Sequence, residues 1–172
     1  MKRFLLSFFI SFFLTGTSSG QTNQQDKSPV VFIKSMLNHP VKKFAFTDLV
    51  GKKMSSDKLK GKIVVINFWF TACKPCILEM PHLNKLVEEN KENPVVFIAP
   101  APEDEARIKK FLMKYRFDYN IIPSSLDYIT AAVIENFPTH LVIDKEGIVR
   151  QVFIGYADDI KEKLQAGIDK LL

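Results

Sequence analysis

The sequence predicts an α/β domain in which helices flank a central mixed β-sheet. Two uninterrupted apolar runs, Ile63–Phe70 and Pro94–Pro100, indicate strands that are buried on both faces. A helical segment with one apolar face follows each run, and two strands and a last helix close the chain. The 172 residues, 47% of them hydrophobic, suffice for one such domain with a sizeable core.

The first 20 residues differ from the rest of the chain. Lys2 and Arg3 precede an apolar run, Phe4–Leu14, which only two serines interrupt and which small and polar residues follow. This order is typical of a secretory signal peptide. The alternative is an uncleaved membrane anchor, but the run has 11 positions where a spanning helix needs about 20. We therefore predict a signal peptide over residues 1–20 and an exported protein.

A leader segment, partly disordered, is predicted over residues 21–40, because residues 21–29 are polar. Within it, Val30–Leu37 either forms a short strand or packs irregularly. The domain itself is predicted from residue 41 to residue 172. It begins with a hairpin that has Gly51 in its turn, followed by a short turn or helix.

The later elements are predicted from the spacing of apolar residues. A helix begins near Pro75, and a second one within residues 103–117 has its acids in the first turn and its bases later, as the helix dipole favours. A short strand and a short helix come next, and then two strands that a turn at residues 145–147 makes antiparallel. The apolar faces of the three longer helices consist of Leu83, Leu86 and Val87; of Ile108, Phe111, Leu112 and Tyr115; and of Ile160, Leu164, Ile168 and Leu171.

The charge of the chain gives no support to a nucleic-acid partner. The formal charge of +5 falls to +3 when Lys2 and Arg3 leave with the signal peptide. The remaining bases are interleaved with acids, and no basic run occurs, so we expect them to form a solvated surface.

The stretch NFWFTACKPCILEMP, residues 67–81, holds both cysteines of the chain, Cys73 and Cys76. A structural disulfide normally closes a long loop, and this pair closes almost none. A zinc site commonly needs about four ligands, and no histidine pair at short spacing accompanies the cysteines. A redox centre is therefore favoured, and the βαβ pattern around the pair strengthens that interpretation.

Three features together resemble the thioredoxin fold: the buried strand ending in NFWFTACKPC, the helix carrying Pro81, and the later segment NFPTHLVIDKEG. More narrowly, residues 41–172 resemble the exported TlpA/ResA-type thiol–disulfide oxidoreductases. The resemblance implies an enzyme without a cofactor or metal that exchanges disulfides with protein thiols in the periplasm or another extracytoplasmic space. We also expect a membrane electron donor as a further partner. If the N-terminal signal is not cleaved, we expect it to tether the domain to the membrane.

The chain departs from the family pattern at two positions. Ala72 stands where an aromatic residue is often found, directly before the first cysteine. Asn67 stands where thioredoxin itself has a buried aspartate. Because asparagine cannot relay a proton, thioredoxin's own handling of the proton does not carry over to this chain.

Three catalytic roles are predicted within the cysteine stretch. Cys73, where the strand gives way to the helix, is the attacking thiol, because backbone N–H groups and the helix dipole stabilise a thiolate there. Cys76, one turn further, is the resolving thiol. Glu79 lies on the same helical side, and we predict that it is buried near the sulfurs and exchanges a proton with Cys76. The alternative for Glu79 is an ordinary surface glutamate.

Other residues are expected to tune or complete the site. Lys74 adds a positive charge beside the attacking thiol, Pro75 fits the first turn of a helix, and Trp69 packs nearby as a reporter. By the resemblance, Pro138 faces the cysteines and follows a cis peptide bond from Phe137. For the histidines we expect structural roles, with His82 on the helix surface and His140 on a strand near Pro138.

Two other functions remain as alternatives. A peroxiredoxin-type peroxide reductase would need a Pro-x-x-x-Thr/Ser-x-x-Cys pattern, but Ile66 occupies the proline position and Thr71 is out of register. A non-enzymatic metal- or haem-handling chaperone would use the dithiol as ligands, and no cluster of Met and His accompanies the cysteines.

Overall fold

A five-stranded mixed sheet forms the centre of the computed structural model, which describes residues 28–172. The predicted signal peptide and the first part of the predicted leader lie outside the described residues. In chain order the elements are α1 (Pro29–Met36), β1 (Ala45–Thr47), β2 (Lys53–Ser55), β3 (Ile63–Phe68), α2 (Lys74–Glu89), β4 (Val95–Pro100), α3 (Glu105–Leu112), β5 (Asn120–Ile122), α4 (Leu126–Ala131), β6 (Thr139–Ile143), β7 (Val149–Ile154) and α5 (Ile160–Asp169).

The strand order in the central sheet is β5-β4-β3-β6-β7. Strands β3, β4 and β5 run parallel, whereas β6 and β7 are antiparallel to their neighbours. All six residues of β3 are buried, as the continuous apolar run predicts for a central strand. The predicted mixed sheet flanked by helices is therefore confirmed.

Alternate residues of β3 point into two separate cores. Ile63 and Val65 belong to the core beneath α2, α3 and α5, and Val64 and Ile66 belong to the core beneath the β1–β2 hairpin, α1 and α4. The first core contains both cysteines. It is completed by the helical side chains Met80, Leu83, Leu86, Ile108, Phe111, Ile160, Leu164 and Ile168.

The segment predicted as a strand or an irregular segment, Val30–Leu37, is helical up to Met36, so that interpretation is wrong. Its β-branched composition suggested a strand, but Ser28 caps the helix by accepting a hydrogen bond from the backbone of Val31, and Pro29 occupies the first turn. The side chains that pack against the second core are spaced as a helix requires, at Phe32, Ile33 and Met36. The C-terminal part of the predicted leader thus lies against the domain.

The predicted hairpin and strand pair are confirmed. Strands β1 and β2 are antiparallel, and Gly51 between them has a φ of 84°, which favours glycine. Helix α3 ends at Leu112 and is therefore shorter than the spacing of its apolar residues suggested. Tyr115 therefore lies beyond the helix and is exposed, with its ring stacked on Phe111 at 4.6 Å between centroids.

Among the described residues we find no helix with the length and apolar character of a membrane span.

Candidate active site

Cys73 and Cys76 form a disulfide at the start of α2, with 5.3 Å between their Cα atoms. The buried strand β3 ends at Phe68, and Cys73 follows as the N-cap of α2, where its Sγ accepts a hydrogen bond from the backbone N–H of Cys76 at 3.3 Å. Pro75 lies in the first turn, where a missing N–H breaks no helical hydrogen bond. The cysteines are 4% and 2% exposed, but Lys74 beside Cys73 is exposed. Because Cys73 caps the N-terminus of α2, the positive end of the helix dipole lies at Cys73.

Glu79 is completely buried, with 0% of the residue exposed. Its Oε1 accepts a hydrogen bond from the backbone N–H of Ala157 at 3.2 Å, and its Oε2 lies 2.9 Å from Nε2 of His140. The predicted burial of Glu79 is confirmed, and its interpretation as a surface residue is wrong. Its proton exchange with Cys76 stays a prediction.

His140 links Glu79 to the central strand. It lies in β6 directly opposite Asn67 of β3, is 0% exposed, and has its Nδ1 3.0 Å from Nδ2 of Asn67. The expected place of His140 on a strand near Pro138 is confirmed, but its contact with Glu79 was not predicted. The sequence carried one signal for a buried polar role of His140: a buried Asn67 needs a second polar side chain as its hydrogen-bond partner.

Trp69 is a packing residue, as predicted. It is fully buried, its Nε1–H donates a hydrogen bond to the carbonyl of Ala99 at 3.3 Å, and its ring lies 5.3 Å from that of Phe111 and 5.4 Å from that of Phe117. Trp69 and both cysteines belong to the same core.

The peptide bond between Phe137 and Pro138 is cis, as predicted. Pro138 is buried, and its carbonyl accepts a hydrogen bond from the N–H of Gly155 at 2.8 Å. The ring of Phe137 packs against the core that holds the cysteines and meets that of Phe70 edge-on at 5.3 Å. Contact of Pro138 with the sulfurs stays a prediction.

A cluster that sequence reasoning missed holds the loop before Cys73. Oε1 of Glu103 accepts hydrogen bonds from the backbone N–H and the hydroxyl of Thr71, at 2.8 and 2.7 Å, and Nε of Arg107 donates to the same hydroxyl at 3.2 Å. Glu103 and Thr71 follow the parallel strands β4 and β3, whose carboxyl ends meet at one edge of the sheet. The adjacency of these two strand ends was the signal in the sequence that could have brought Thr71 and Glu103 together.

Across residues 28–172, no three or more histidine, cysteine, aspartate or glutamate side chains come together in a way that could hold a metal ion.

Comparison with known proteins gives the family. The model of the AhpC/TSA family matches residues 37–152. The chain belongs to the AhpC/TSA family. Among curated relatives, the thiol-disulfide oxidoreductase ResA of Bacillus cereus is 37% identical over 140 residues, which are 80% of this chain and 80% of the relative.

Solved structures of similar fold include two from Chlorobium tepidum. The thiol:disulfide interchange protein DsbE of Chlorobium tepidum has a TM-score of 0.71 at 21% identity, over 78% of this chain and 96% of that one. A thioredoxin-family thiol:disulfide interchange protein of the same organism has a TM-score of 0.66 at 26% identity, over 78% and 96%. The predicted thioredoxin-like fold and the predicted enzyme, a thiol–disulfide oxidoreductase, are confirmed, in preference to the peroxide-reductase and chaperone alternatives.

Proposed function

We propose that this enzyme exchanges dithiols and disulfides with protein substrates outside the cytoplasm through the Cys73–Cys76 couple. One observation carries the proposal: the two cysteines pair at the start of a helix whose next inward-facing acid, Glu79, is fully buried. A disulfide that closes so short a loop adds little stability, whereas it is well placed to open and reform.

Exchange takes two displacement steps. The Cys73 thiolate attacks a substrate disulfide, forms a bond to one substrate sulfur, and releases the other as a thiolate, which takes up a proton. Cys76 then loses its proton and attacks the Cys73 sulfur, which restores the Cys73–Cys76 disulfide and frees the second substrate sulfur. The substrate gains two electrons and the enzyme dithiol loses them, and the reverse sequence oxidises a substrate dithiol.

The second step needs an acceptor for the Cys76 proton, and Glu79 is the proposed one. It follows Cys76 by three positions in α2, so the two side chains lie on the same side of the helix, and both are buried. A general base must lie within reach of its proton, and the burial of Glu79 one helical turn after Cys76 supports this assignment.

Four further residues are proposed to complete the site. Exposed Lys74 adds positive charge beside Cys73, and Pro75 lies in the first turn of α2. Trp69 packs in the same core as the cysteines and against α3. Pro138 precedes β6, and the backbone there is proposed to pair with an extended substrate segment as a strand would.

The exported location is proposed from residues 1–20, with their charged start and short apolar run. Reducing a substrate leaves the enzyme oxidised, so its disulfide must be reduced again, and we propose a membrane electron donor for that step. If the signal is not cleaved, it tethers the domain to the membrane. Cell fractionation and N-terminal sequencing test export. We expect a chain that begins at Gln21 in the extracytoplasmic fraction. A chain in the cytoplasm that still begins at Met1 would contradict export.

Exchange itself is tested with a peptide whose disulfide quenches a fluorophore. The enzyme reduced at Cys73 and Cys76 should release the fluorescence, and Cys73→Ser should abolish the release. Cys76→Ser should instead accumulate a mixed disulfide, identified by mass spectrometry. A reduced wild-type enzyme that leaves the peptide intact would contradict the proposed function.

A further inference from the structure

A buried chain of three polar side chains crosses the core from the central sheet to the active-site helix. It runs from Asn67 in β3 to His140 in β6 and on to Glu79 in α2, through contacts of 3.0 and 2.9 Å. We propose that His140 is a positioning residue that holds the Glu79 carboxylate ready to accept the proton of Cys76. The inference rests on the proposed function, whose proton step it explains.

The proposed tautomer of His140 follows from the orientation of the Asn67 amide. Nδ2 of Asn67 lies 3.0 Å from Nδ1 of His140 and 3.4 Å from its Nε2. An amide nitrogen only donates, and we assign Nδ1, the nearer ring nitrogen, as its acceptor. A neutral imidazole has a single N–H, which therefore lies on Nε2. That N–H donates to Oε2 of Glu79 at 2.9 Å. The pair thus consists of a neutral imidazole donating to a carboxylate.

The Glu79 carboxyl receives one donor at each oxygen. The backbone N–H of Ala157 donates to Oε1, and His140 donates to Oε2. Burial disfavours a charged carboxyl, while hydrogen bonds donated to it favour the charge. His140 supplies the only side-chain donor among these contacts, so its loss leaves a buried carboxylate with backbone support alone.

This arrangement changes as the reaction proceeds. Before the second displacement, Glu79 is a carboxylate and the hydrogen bond from His140 is charge-assisted, the stronger kind. When the proton moves from Sγ of Cys76 to the carboxyl, the charge passes to sulfur and the hydrogen bond from His140 weakens. The hydrogen bond from His140 therefore favours the form of Glu79 that can accept the proton.

Two phenols, those of Tyr119 and Tyr156, are near enough for the charge of Glu79 to act on them. Burial, with a smaller contribution from Glu79, raises the pKa of Tyr119, and a hydrogen bond to Asp158 is the main cause that raises the pKa of Tyr156. Between pH 5 and about 9 both phenols stay neutral. A change in the pH dependence within that range therefore does not come from these two phenols.

The first test compares two substitutions of His140 by rapid mixing with the quenched disulfide peptide. His140→Leu removes the donor, and we expect the pH midpoint of the second displacement to rise by about one to two units. His140→Gln keeps both a donor and an acceptor, and its midpoint should stay within about half a unit of the wild type. His82→Gln, at a half-buried position of α2, is the matched control and should leave the profile unchanged.

The same substitution in a Cys76→Ser background isolates the attack by Cys73. A shift confined to that first step, or profiles of His140→Leu and wild type that overlay, would overturn the role of His140. If the wild type itself showed no exchange, the proposed function would fail instead, so the two failures are distinguishable.

A second measurement depends neither on activity nor on a substitution within the buried polar chain. In 15N-labelled oxidised wild type, the ring nitrogens of His140 should report the Nε2–H tautomer, with assignment by His39→Gln and His82→Gln among the three histidines. A ring protonated at Nδ1 would show that Asn67 accepts rather than donates, and it would overturn the inference.

Discussion

Both the backbone N–H and the hydroxyl of Thr71 donate to one oxygen of Glu103, at 2.8 and 2.7 Å, two residues before Cys73. Glu103 thereby ties the loop after β4 to the loop that leads into the active-site helix. The other carboxyl oxygen of Glu103 is buried and has no hydrogen-bond partner among the described residues. The position of Cys73 thus depends on a side chain that lies 32 residues beyond Thr71 in the chain.

Glu103→Ala should loosen this loop. It removes the acceptor of two hydrogen bonds, so the free energy of unfolding should fall by about 1–3 kcal/mol, and the attack by Cys73 should slow. Glu103→Gln keeps one carbonyl oxygen and should lose less than about 1 kcal/mol. Glu105→Ala, an exposed position nearby, is the control and should change stability by no more than about 0.5 kcal/mol. Denaturant unfolding measures the stability, and the rate of mixed-disulfide formation measures the attack by Cys73. Equal losses of stability for Glu103→Ala and the control would contradict the role of Glu103 in holding the loop.

Cys73 should react with alkylating agents before Cys76 does. In the reduced enzyme, Cys73 lies at the N-cap of α2, where the helix dipole stabilises its thiolate, whereas Cys76 lies one turn inside the helix. Limiting iodoacetamide at pH 7 followed by peptide mass spectrometry checks the order. Preferential labelling of Cys76 would reverse the two roles.

Glu79→Gln should remove a titration from exchange while leaving the fold intact. The amide keeps the shape of the carboxyl but cannot accept the proton of Cys76, so exchange at pH 7 should fall roughly a hundredfold and lose part of its pH dependence. Glu88→Gln, on the exposed side of the same helix, is the matched control. Overlapping pH–rate profiles of Glu79→Gln and wild type would leave Glu79 a structural residue only.

Reduction of the disulfide should change the fluorescence of Trp69, the only tryptophan of the chain. Its ring lies in the same core as Cys73 and Cys76, and a nearby disulfide quenches indole emission. We therefore expect emission to rise on reduction of the wild type. The Cys73→Ser/Cys76→Ser double variant should show no response to the same reductant, and a response there would mean that Trp69 does not report the couple.

The sequence predicts the parts of this molecule that depend on local pattern. The apolar run that forms β3, the helix that starts beside Cys73 and the paired strands β6 and β7 all follow from residue spacing and turn residues. The resemblance to a known family added the cis bond at Pro138 and the roles of the cysteines. Burial of Glu79 was predicted from its spacing to Cys76 together with that resemblance.

Long-range pairing could not be predicted in the same way. Glu79 and His140 are 61 positions apart, and their contact depends on the register that sets Asn67 opposite His140 between β3 and β6. Helix α1 was missed for a related reason. Its β-branched residues suit a strand locally, but the cap at Ser28 and the packing of its apolar face against the second core decide for a helix.

Asp144 should make the stability of the domain depend on pH in the acid range. It is buried at the turn between β6 and β7, and burial by itself would raise its pKa. Hydrogen bonds from the backbone of Ile148 and Glu146, and from the guanidinium of Arg150 at 2.6 Å, outweigh burial and lower the pKa of Asp144. A carboxyl whose folded pKa lies below its unfolded one stabilises the fold above the unfolded value, and this contribution is lost as the pH falls through the folded value.

Asp144→Asn should therefore destabilise the domain at pH 7 by about 1–3 kcal/mol, because it weakens several hydrogen bonds to a charged acceptor. The difference from wild type should shrink as the pH falls below 3.8, the ordinary value for aspartate, since the wild-type side chain then becomes protonated as well. Asp57→Asn, at an exposed position before β3, serves as the control and should show neither effect. Urea unfolding of the oxidised proteins between pH 2 and about 7 measures the two curves. A difference between Asp144→Asn and wild type that stays constant over this range would mean that the charge of Asp144 contributes nothing to the turn.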